Sequence, residues 1–525
     1  MENCHRNERM KNIFAFLFGW VECLIFAGSI FGWVPLVFVL KQDGVYSHLC
    51  NIGLKNGSDT ASDSESSRNE TSFAEIVTND DNNTSVAYST CLQQNDMLML
   101  VFSIGVAALC CSAAVIGWLL DKHGTRVTRI TIIIIFASGC LMLGFASPDV
   151  PVLVFPGLAG IGIGGVGLLA TNMQIGNYFD TARLTVVTLY SSSYDISGFV
   201  MLIMKHLHGK GVKRLHYFIV LCVLSVVMVS ISTFALLPKF KIFPKDHPRG
   251  SGKNRSNDDA DAKVGYIAGT VLVEDERNKT DEIQTSYEPK VDERKVKALT
   301  YYLFSRVYLL ELMWEAIIQL QFFYYMGTLN PMLTRFTKND VDKVSFFTNI
   351  FSYILLGGIF LGPLEGLFLH LEKKRLHRDN PNYYDQIRPA ALPQAFCSFV
   401  CLLLSVLVLI PVEGLLYVQF ICLVVFRAFL FGLSAAFLFM AFPVEHFGRL
   451  FGSLRIINGG IIGMLQYPLF KWGEGPPINY LPPSLFMIVG VVLSFLQPLS
   501  VMFGERIDQL TRWCRPIKQQ GILTS

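Results

Sequence analysis

Charge is scarce in this chain. Lys, Arg, Asp and Glu make up 16% of its 525 residues against 52% hydrophobic, and the mean hydropathy is +0.42. A soluble fold of this length needs more polar surface, so composition points to lipid as the solvent. The little charge present is nearly balanced. A net +3, with the bases in short loops rather than on one face, gives nucleic acid nothing to bind. Enzyme constellations are also missing. There is no Walker loop, zinc-spaced Cys/His set or nucleophile elbow, so no catalytic residue, cofactor or metal is expected, and an ATP-driven pump is disfavoured. The run Gly160-Ile-Gly162-Ile-Gly164-Gly165 lies inside an apolar span and reads as helix packing. Nothing near the start resembles a cleaved leader: Met1–Lys11 is polar and basic, and the apolar run behind it is too long for a signal core.

What the chain has instead is Phe, at 41 copies, and long apolar runs. About 20 apolar residues cross ~30 Å of hydrocarbon. Such runs are Ile13–Leu40, Asp96–Leu120, Ile130–Ala146, Val152–Ile175, Leu184–His206 and Leu215–Leu237, then Leu309–Leu333, Phe346–Leu371, Ala391–Ile410, Leu415–Phe442, Leu450–Phe470 and Ser484–Phe503. The expected fold is an all-α membrane protein of 12 transmembrane helices in two six-helix bundles. Its parts are a cytoplasmic N-terminus (1–12), a first bundle (13–238) with an outer loop (41–95), a disordered cytoplasmic linker (239–300), a second bundle (301–504) and a cytoplasmic tail (505–525).

Orientation follows from Lys and Arg in the short loops. Arg6, Arg9 and Lys11 precede the first run, Lys122, Arg126 and Arg129 follow the second, and Lys373, Lys374 and Arg375 follow the eighth. Arg449 and the tail residues Arg506, Arg512 and Arg515 fall on the same side, which places both termini in the cytoplasm. The opposite side holds Gln42–Asn95, with sequons at Asn56, Asn69, Asn82 and Asn83, as expected of a glycosylated outer loop. Sequons at Asn254 and Asn278 fall in the linker and read as chance matches. Cys50 and Cys91 bracket the outer loop. If it is extracellular they are expected to close it as a disulfide, with free loop thiols as the other reading.

The sharpest motif is Gly117-Trp-Leu-Leu-Asp121-Lys122-His-Gly124-Thr-Arg126, between the second and third runs. It matches the major-facilitator loop signature and is expected to gate the cytoplasmic side. Gly117 permits close helix approach, Gly124 a tight turn, and Asp121 is an anion placed to meet a helix N-terminus or an arginine. The second half carries a degraded repeat, Gly366-Leu-Phe-Leu-His370-Leu-Glu372-Lys373-Lys374, in which His370 stands where the acid belongs. Glu372 is the possible substitute.

Charges within spans default to functional candidates. They are Glu22, Asp195, Glu311, Glu315 and Arg427. Spacing places Glu22, Phe26, Ser29 and Trp33 on one helical face, and Glu315, Gln319, Phe322 and Met326 on another. Arg427 needs an acid or a carbonyl. Amides dominate the remaining polar inventory, including Asn172, Gln174, Asn177, Gln319, Gln321, Asn330, Asn349, Asn458 and Gln466. Amides donate and accept, which suits a neutral, flat, mixed-edge ligand stacked on aromatics, whereas a zwitterion asks for a charge pair or helix ends. Each such residue can equally be helix-to-helix glue. By depth and face the expected substrate site comprises Glu22, Asn172, Gln319, Asn330 and Arg427, with Phe26 and Phe322 as stacking surfaces.

The stretches Glu22-Cys-Leu-Ile-Phe-Ala-Gly28 with Phe31-Gly-Trp33, Thr171-Asn-Met-Gln-Ile-Gly-Asn177, Gly327-Thr-Leu-Asn330 and Phe442-Pro-Val-Glu-His-Phe-Gly448 together resemble solute carrier family 43, over nearly the whole chain outside the polar loops. Thr188-Leu-Tyr190 followed by Asp195, and Phe439-Met-Ala-Phe-Pro443, lean toward its nucleobase-carrying members. The resemblance implies sodium-independent, equilibrative movement of purine bases such as adenine, guanine and hypoxanthine across the plasma membrane. Facilitative uniport of large neutral amino acids is the alternative. Uniport leaves the intramembrane acids free to orient amides or pair with Arg427 rather than couple protons. A small-molecule substrate and the bilayer are the expected partners, with no obligate protein partner evident.

Overall fold

The computed structural model describes residues 2–50, 91–179, 183–240, 242, 299–376, 383–442, 444–474 and 480–513. The sequons Asn56, Asn69, Asn82 and Asn83, and nearly all of the central linker, lie outside the described residues.

All described elements are helical. Within lipid the backbone must satisfy its own N–H and C=O groups, so apolar runs of this length have no other regular option. In the first half α1 (Glu2–Glu22) passes through a π turn, Cys23–Ala27, and a 3-10 turn, Ser29–Gly32, into α2 (Trp33–Gln42). Then come α3 (Leu92–Phe145), α4 (Val154–Met173), α5 (Arg183–Ile196), α6 (Phe199–Gly209) and α7 (Arg214–Ile231). The second half contains α8 (Arg306–Phe336), α9 (Val341–Leu356), α10 (Leu361–Arg375), α11 (Ala391–Leu407), α12 (Leu415–Ala441), α13 (Val444–Arg455), α14 (Gln466–Glu474), α15 (Leu481–Ser494) and α16 (Leu496–Trp513).

Each of the 12 expected runs falls on helical backbone, but seven helical stretches among the described residues are long and apolar enough to cross a membrane on their own. One of these, Leu92–Phe145, holds two expected spans. The others depart for identifiable reasons. The fifth run is divided between α5 and α6, the eighth is interrupted by the 3-10 turn Gly357–Phe360, and the eleventh by Ile456–Ile461 and Ile462–Leu465. The seventh, α8, carries Glu311 and Glu315 among its apolar residues.

Two glycines set the packing of the first half. Gly124 has φ +79° and ψ −177°, a left-handed backbone that breaks α3 into two limbs; a Cβ there would also stand 3.0 Å from Lys239 O. A Cβ on Gly139 would lie 2.8 Å from Gly157 O, so the second limb of α3 and the glycine-rich α4 touch backbone to backbone. Polar caps start two helices of the second half: Ser305 Oγ accepts from Tyr308 N at 3.3 Å, and Asp340 Oδ1 accepts from Lys343 N at 3.0 Å. Outward faces stay apolar, as Val220, Val223 and Val227 on α7 and Phe486, Val489 and Val492 on α15 are exposed. Cys50 and Cys91 form a disulfide with Cα atoms 5.6 Å apart, tying the end of the first helical stretch to the start of α3. That end is called the bridge end below, and the opposite one, marked by Gly124, the turn end.

Candidate functional site

Glu22 does not face a central cavity. Its carboxylate is fully buried against Arg129, with Oε2 2.6 Å from Arg129 Nη2. Arg129 belongs to the second limb of α3, not to the loop where sequence reading put it, and it spends its donors on the first bundle. Nε reaches Thr233 Oγ1 at 2.8 Å, Nη1 reaches Asn172 Oδ1 at 2.6 Å and Thr171 Oγ1 at 3.2 Å, and Nη2 also reaches Ser232 Oγ at 2.7 Å. Asn172 in turn donates to Glu22 Oε2 at 3.0 Å and Gly19 O at 3.2 Å, and Ser232 donates to Glu22 Oε1. Glu22 and Asn172 are thus saturated by neighbours from four helical segments. They hold the first bundle together and offer a substrate little.

Phe26 also turns away from the expected site. It packs edge-on to Phe136 of α3 at 5.7 Å. The cause is the π turn: one extra residue rotates everything after it by about 100°, which breaks the face drawn from Glu22 to Trp33. Phe31 takes the central place instead.

Between the halves, Arg427 of α12 donates from Nη2 to Asp195 Oδ1 of α5 at 3.1 Å. Its guanidinium carbon lies 3.9 Å from the centroid of Phe31 and 5.3 Å from that of Phe322. Arg427 is 2% exposed while the Asp195 side chain is 23% exposed, so the pair reaches from the packed interior toward open space. Nε and Nη1 of Arg427 have no hydrogen-bond partner. Tyr194 stands edge-on to Phe31 at 5.2 Å, and Phe322 meets Phe31 at 6.0 Å. Gln319, one turn before Phe322 on α8, gives Nε2 to Cys110 Sγ across the halves at 3.7 Å and leaves Oε1 unpartnered. Asn458, on the π turn after α13, is buried next to Glu315. Unspent guanidinium donors beside three aromatic rings suit a flat, polar-edged ligand.

Asn330 is buried two turns beyond Phe322, about 12 Å further along α8. That displacement puts it toward the bridge end and away from Arg427. Below this level Glu315 pairs with Arg455 of α13, Oε1 to Nη1 at 2.7 Å, and accepts from Ser434 Oγ at 2.5 Å. Glu311, one turn earlier, accepts from the amides of Gln394 at 2.8 Å and Gln497 at 2.9 Å. The four acids expected within spans that lie here have distinct settings: Glu22 with Arg129, Asp195 with Arg427, Glu315 with Arg455, and Glu311 with amides.

Contacts between the halves also lie at the bridge end. Lys205 of α6 donates to Ser345 O and Asn349 Oδ1 of α9, both at 2.7 Å, and His206 meets Tyr353 Oη at 3.0 Å. Lys471 of α14 stands 3.6 Å from Asp96 of α3. At the turn end, Gly124 is roofed by the segment following α7. Arg126 N donates to Lys239 O at 3.3 Å, Thr125 Oγ1 to Phe240 O at 3.1 Å, and Ile242 N to Gln174 Oε1 at 3.1 Å. Gly117 is buried in α3, Asp121 is exposed, and Lys122 stacks on Trp118 at 4.8 Å. In the degraded repeat, Glu372 engages Arg375 locally at 3.3 Å.

Sequence reading missed Arg129, Phe31, Tyr194 and Arg455 as organising residues. Each missing arginine was discoverable from an unmatched buried acid, since Glu22 and Glu315 both demand a cation. The two aromatics were hidden by the register change at the π turn.

A sequence model of the Major Facilitator Superfamily matches residues 76–466. Equilibrative nucleobase transporter 1 of Bos taurus is 30% identical, with 92% of this chain and 94% of that protein aligned. Large neutral amino acids transporter small subunit 3 of Homo sapiens is 24% identical, with 93% of each aligned. Among solved structures, the POT family transporter PepTSo superimposes with TM-score 0.56 at 10% identity, over 94% of this chain and 98% of that one. At that identity the likeness concerns the fold alone.

Proposed function

The chain belongs to the Major Facilitator Superfamily, within solute carrier family 43, and on that premise we propose that it carries purine nucleobases down their gradients by alternating access. It is a multi-pass membrane transporter and not an enzyme. The observation that carries the nucleobase reading is the arrangement around Arg427. A guanidinium with spare Nε and Nη1 donors lies on Phe31, near Phe322 and Tyr194, and Gln319, one turn before Phe322 on α8, leaves its Oε1 unpartnered. A purine can stack on the rings, accept from the arginine through a ring nitrogen or carbonyl, and donate to the amide oxygen. The 30% identity to a protein named as a nucleobase transporter supports the same choice.

In this proposal Arg427, Gln319, Phe322, Phe31 and Tyr194 bind substrate, while Glu22, Asn172 and Phe26 act as scaffold. Asp195 holds Arg427 until substrate arrives and the halves rock apart. The Gly117–Arg126 turn works as the cytoplasmic gate, with both termini cytoplasmic, the Cys50–Cys91 end outside and the protein in the plasma membrane. The Lys205 and Lys471 contacts are then the closed outer gate.

A second reading, facilitative uniport of large neutral amino acids, is favoured by the Arg427–Asp195 pair. Opposite charges 3.1 Å apart could each take one end of a zwitterion. Uptake of labelled adenine and leucine by cells expressing the chain separates the two. Saturable adenine uptake, unaffected by excess leucine, supports nucleobase transport, and the reverse pattern supports the amino-acid reading.

A further inference from the structure

Glu311 is buried in the second half among amides. Its residue is 0% exposed, and no cation pairs with it among the described residues. Both of its amide donors, Gln394 Nε2 of α11 and Gln497 Nε2 of α16, converge on one oxygen, Oε2. The other oxygen, Oε1, has no partner, and neither does Gln394 Oε1. Two buried oxygens, one on each of two hydrogen-bonded side chains, thus lack a donor among the described residues. Among the described residues the facing groups have their protons engaged, and the one hydroxyl within reach, Ser434, is shared with Glu315. On α8 itself Glu315 is an acid, and Tyr308 directs its hydroxyl to Leu450 O and Ser453 Oγ. From α13, Arg455 is engaged by Glu315; from α12, the Ser434 hydroxyl proton goes to Glu315 Oε2.

One proton satisfies the contact. Placed on Glu311 Oε1, it turns an orphaned acceptor into a donor for Gln394 Oε1, giving the two-bond pairing of a carboxylic acid with a carboxamide. It also removes an uncompensated charge from the membrane interior, where such a charge is costly. We propose that Glu311 is a proton-binding site, occupied in this conformation, and that its ionisation is linked to the transport cycle. Glu311 lies less than two turns from the Arg306 end of α8, so protons reach it from the turn end. Arg455 provides the link: it pairs with Glu315 one turn away and its guanidinium carbon lies 4.8 Å from the centroid of Phe431, a ring that also packs on Phe322. Losing the proton places a second negative charge beside Glu315, with Arg455 to be shared. The linkage, though not the proton site, rests on the transport reading above.

The direct test is infrared difference spectroscopy of the purified full chain in lipid, wild type against Glu311→Gln. The proposal expects a carboxylic-acid carbonyl band in wild type that shifts in D2O, is absent from E311Q, and moves in frequency in Gln394→Leu. A wild-type spectrum without that band means an ionised Glu311 and overturns the proton site. The second arm is uptake of labelled adenine and leucine at acidic and alkaline turn-side pH. Flux of whichever substrate moves is expected to fall several-fold as pH rises in wild type and to stay level in E311Q, which mimics the protonated acid. Identical pH profiles overturn the linkage. Absence of adenine uptake counts against the nucleobase reading alone, because the infrared arm needs no substrate.

Discussion

Arg427 and Asp195 belong to different halves of the protein and are bonded to each other, Nη2 to Oδ1 at 3.1 Å. A buried ion pair across a surface that must part is a switch: it favours the conformation in which it forms, and any conformation that separates α5 from α12 must break it. Asp195→Asn is therefore expected to slow substrate movement by roughly tenfold, the effect of about 1.4 kcal/mol on the balance of states. Flux per surface molecule checks this. Wild-type flux in D195N would remove the pair from the cycle.

Gln319→Ala removes the unpartnered Oε1 without touching an ion pair. Losing one neutral hydrogen bond to substrate is worth about 1 kcal/mol, so the half-saturating adenine concentration should rise roughly fivefold at equal surface expression. Unchanged half-saturation together with unchanged selectivity among adenine, guanine and hypoxanthine would take Gln319 out of the site.

Glu22→Gln or Arg129→Ala should behave differently. Breaking one side of a fully buried pair costs about 3–5 kcal/mol. Because that network lies wholly within the first bundle, the loss should appear as a lower melting temperature and less surface protein, with selectivity unchanged. A selectivity change in E22Q would return Glu22 to the substrate path.

Gly124→Ala forces a side chain into a left-handed backbone at φ +79°, beneath Lys239 O. The strain is about 1–3 kcal/mol, and slower turnover with unaltered half-saturation is expected. An equal effect on both parameters would argue against a gating role for this turn.

Cys50→Ser, Cys91→Ser, or both together, should lower thermal stability by an amount near 2–4 kcal/mol, with all three variants alike. Transport per surface molecule should persist, because the bridge lies outside the Arg427 site. Abolished flux at normal surface expression would give the loop a direct role.

The helical runs were legible because lipid imposes one rule on every span: about 20 apolar residues, internally bonded. The site was less legible, and particular residues show why. Gln319 and Phe322 keep the shared helical face expected of them because α8 runs without a register break from Arg306 to Phe336. Phe26 was misplaced because α1 meets a π turn, where fixed 3.6-residue spacing no longer says which face a residue occupies. Arg129 was assigned to a loop because basic residues near a turn usually are loop residues, yet the chain re-enters helix at once after Gly124 and carries Arg129 inside. Pairings such as Arg455 with Glu315, 140 residues apart by their numbering, exist only after folding and leave no local signature.

The most direct test of the account is uptake of labelled adenine and labelled leucine by cells expressing the wild-type chain, with and without sodium. The account predicts saturable adenine uptake that is indifferent to sodium and unaffected by excess leucine. Leucine uptake without adenine uptake would contradict it, and would make the Arg427–Asp195 pair a receptor for the two charges of an amino acid.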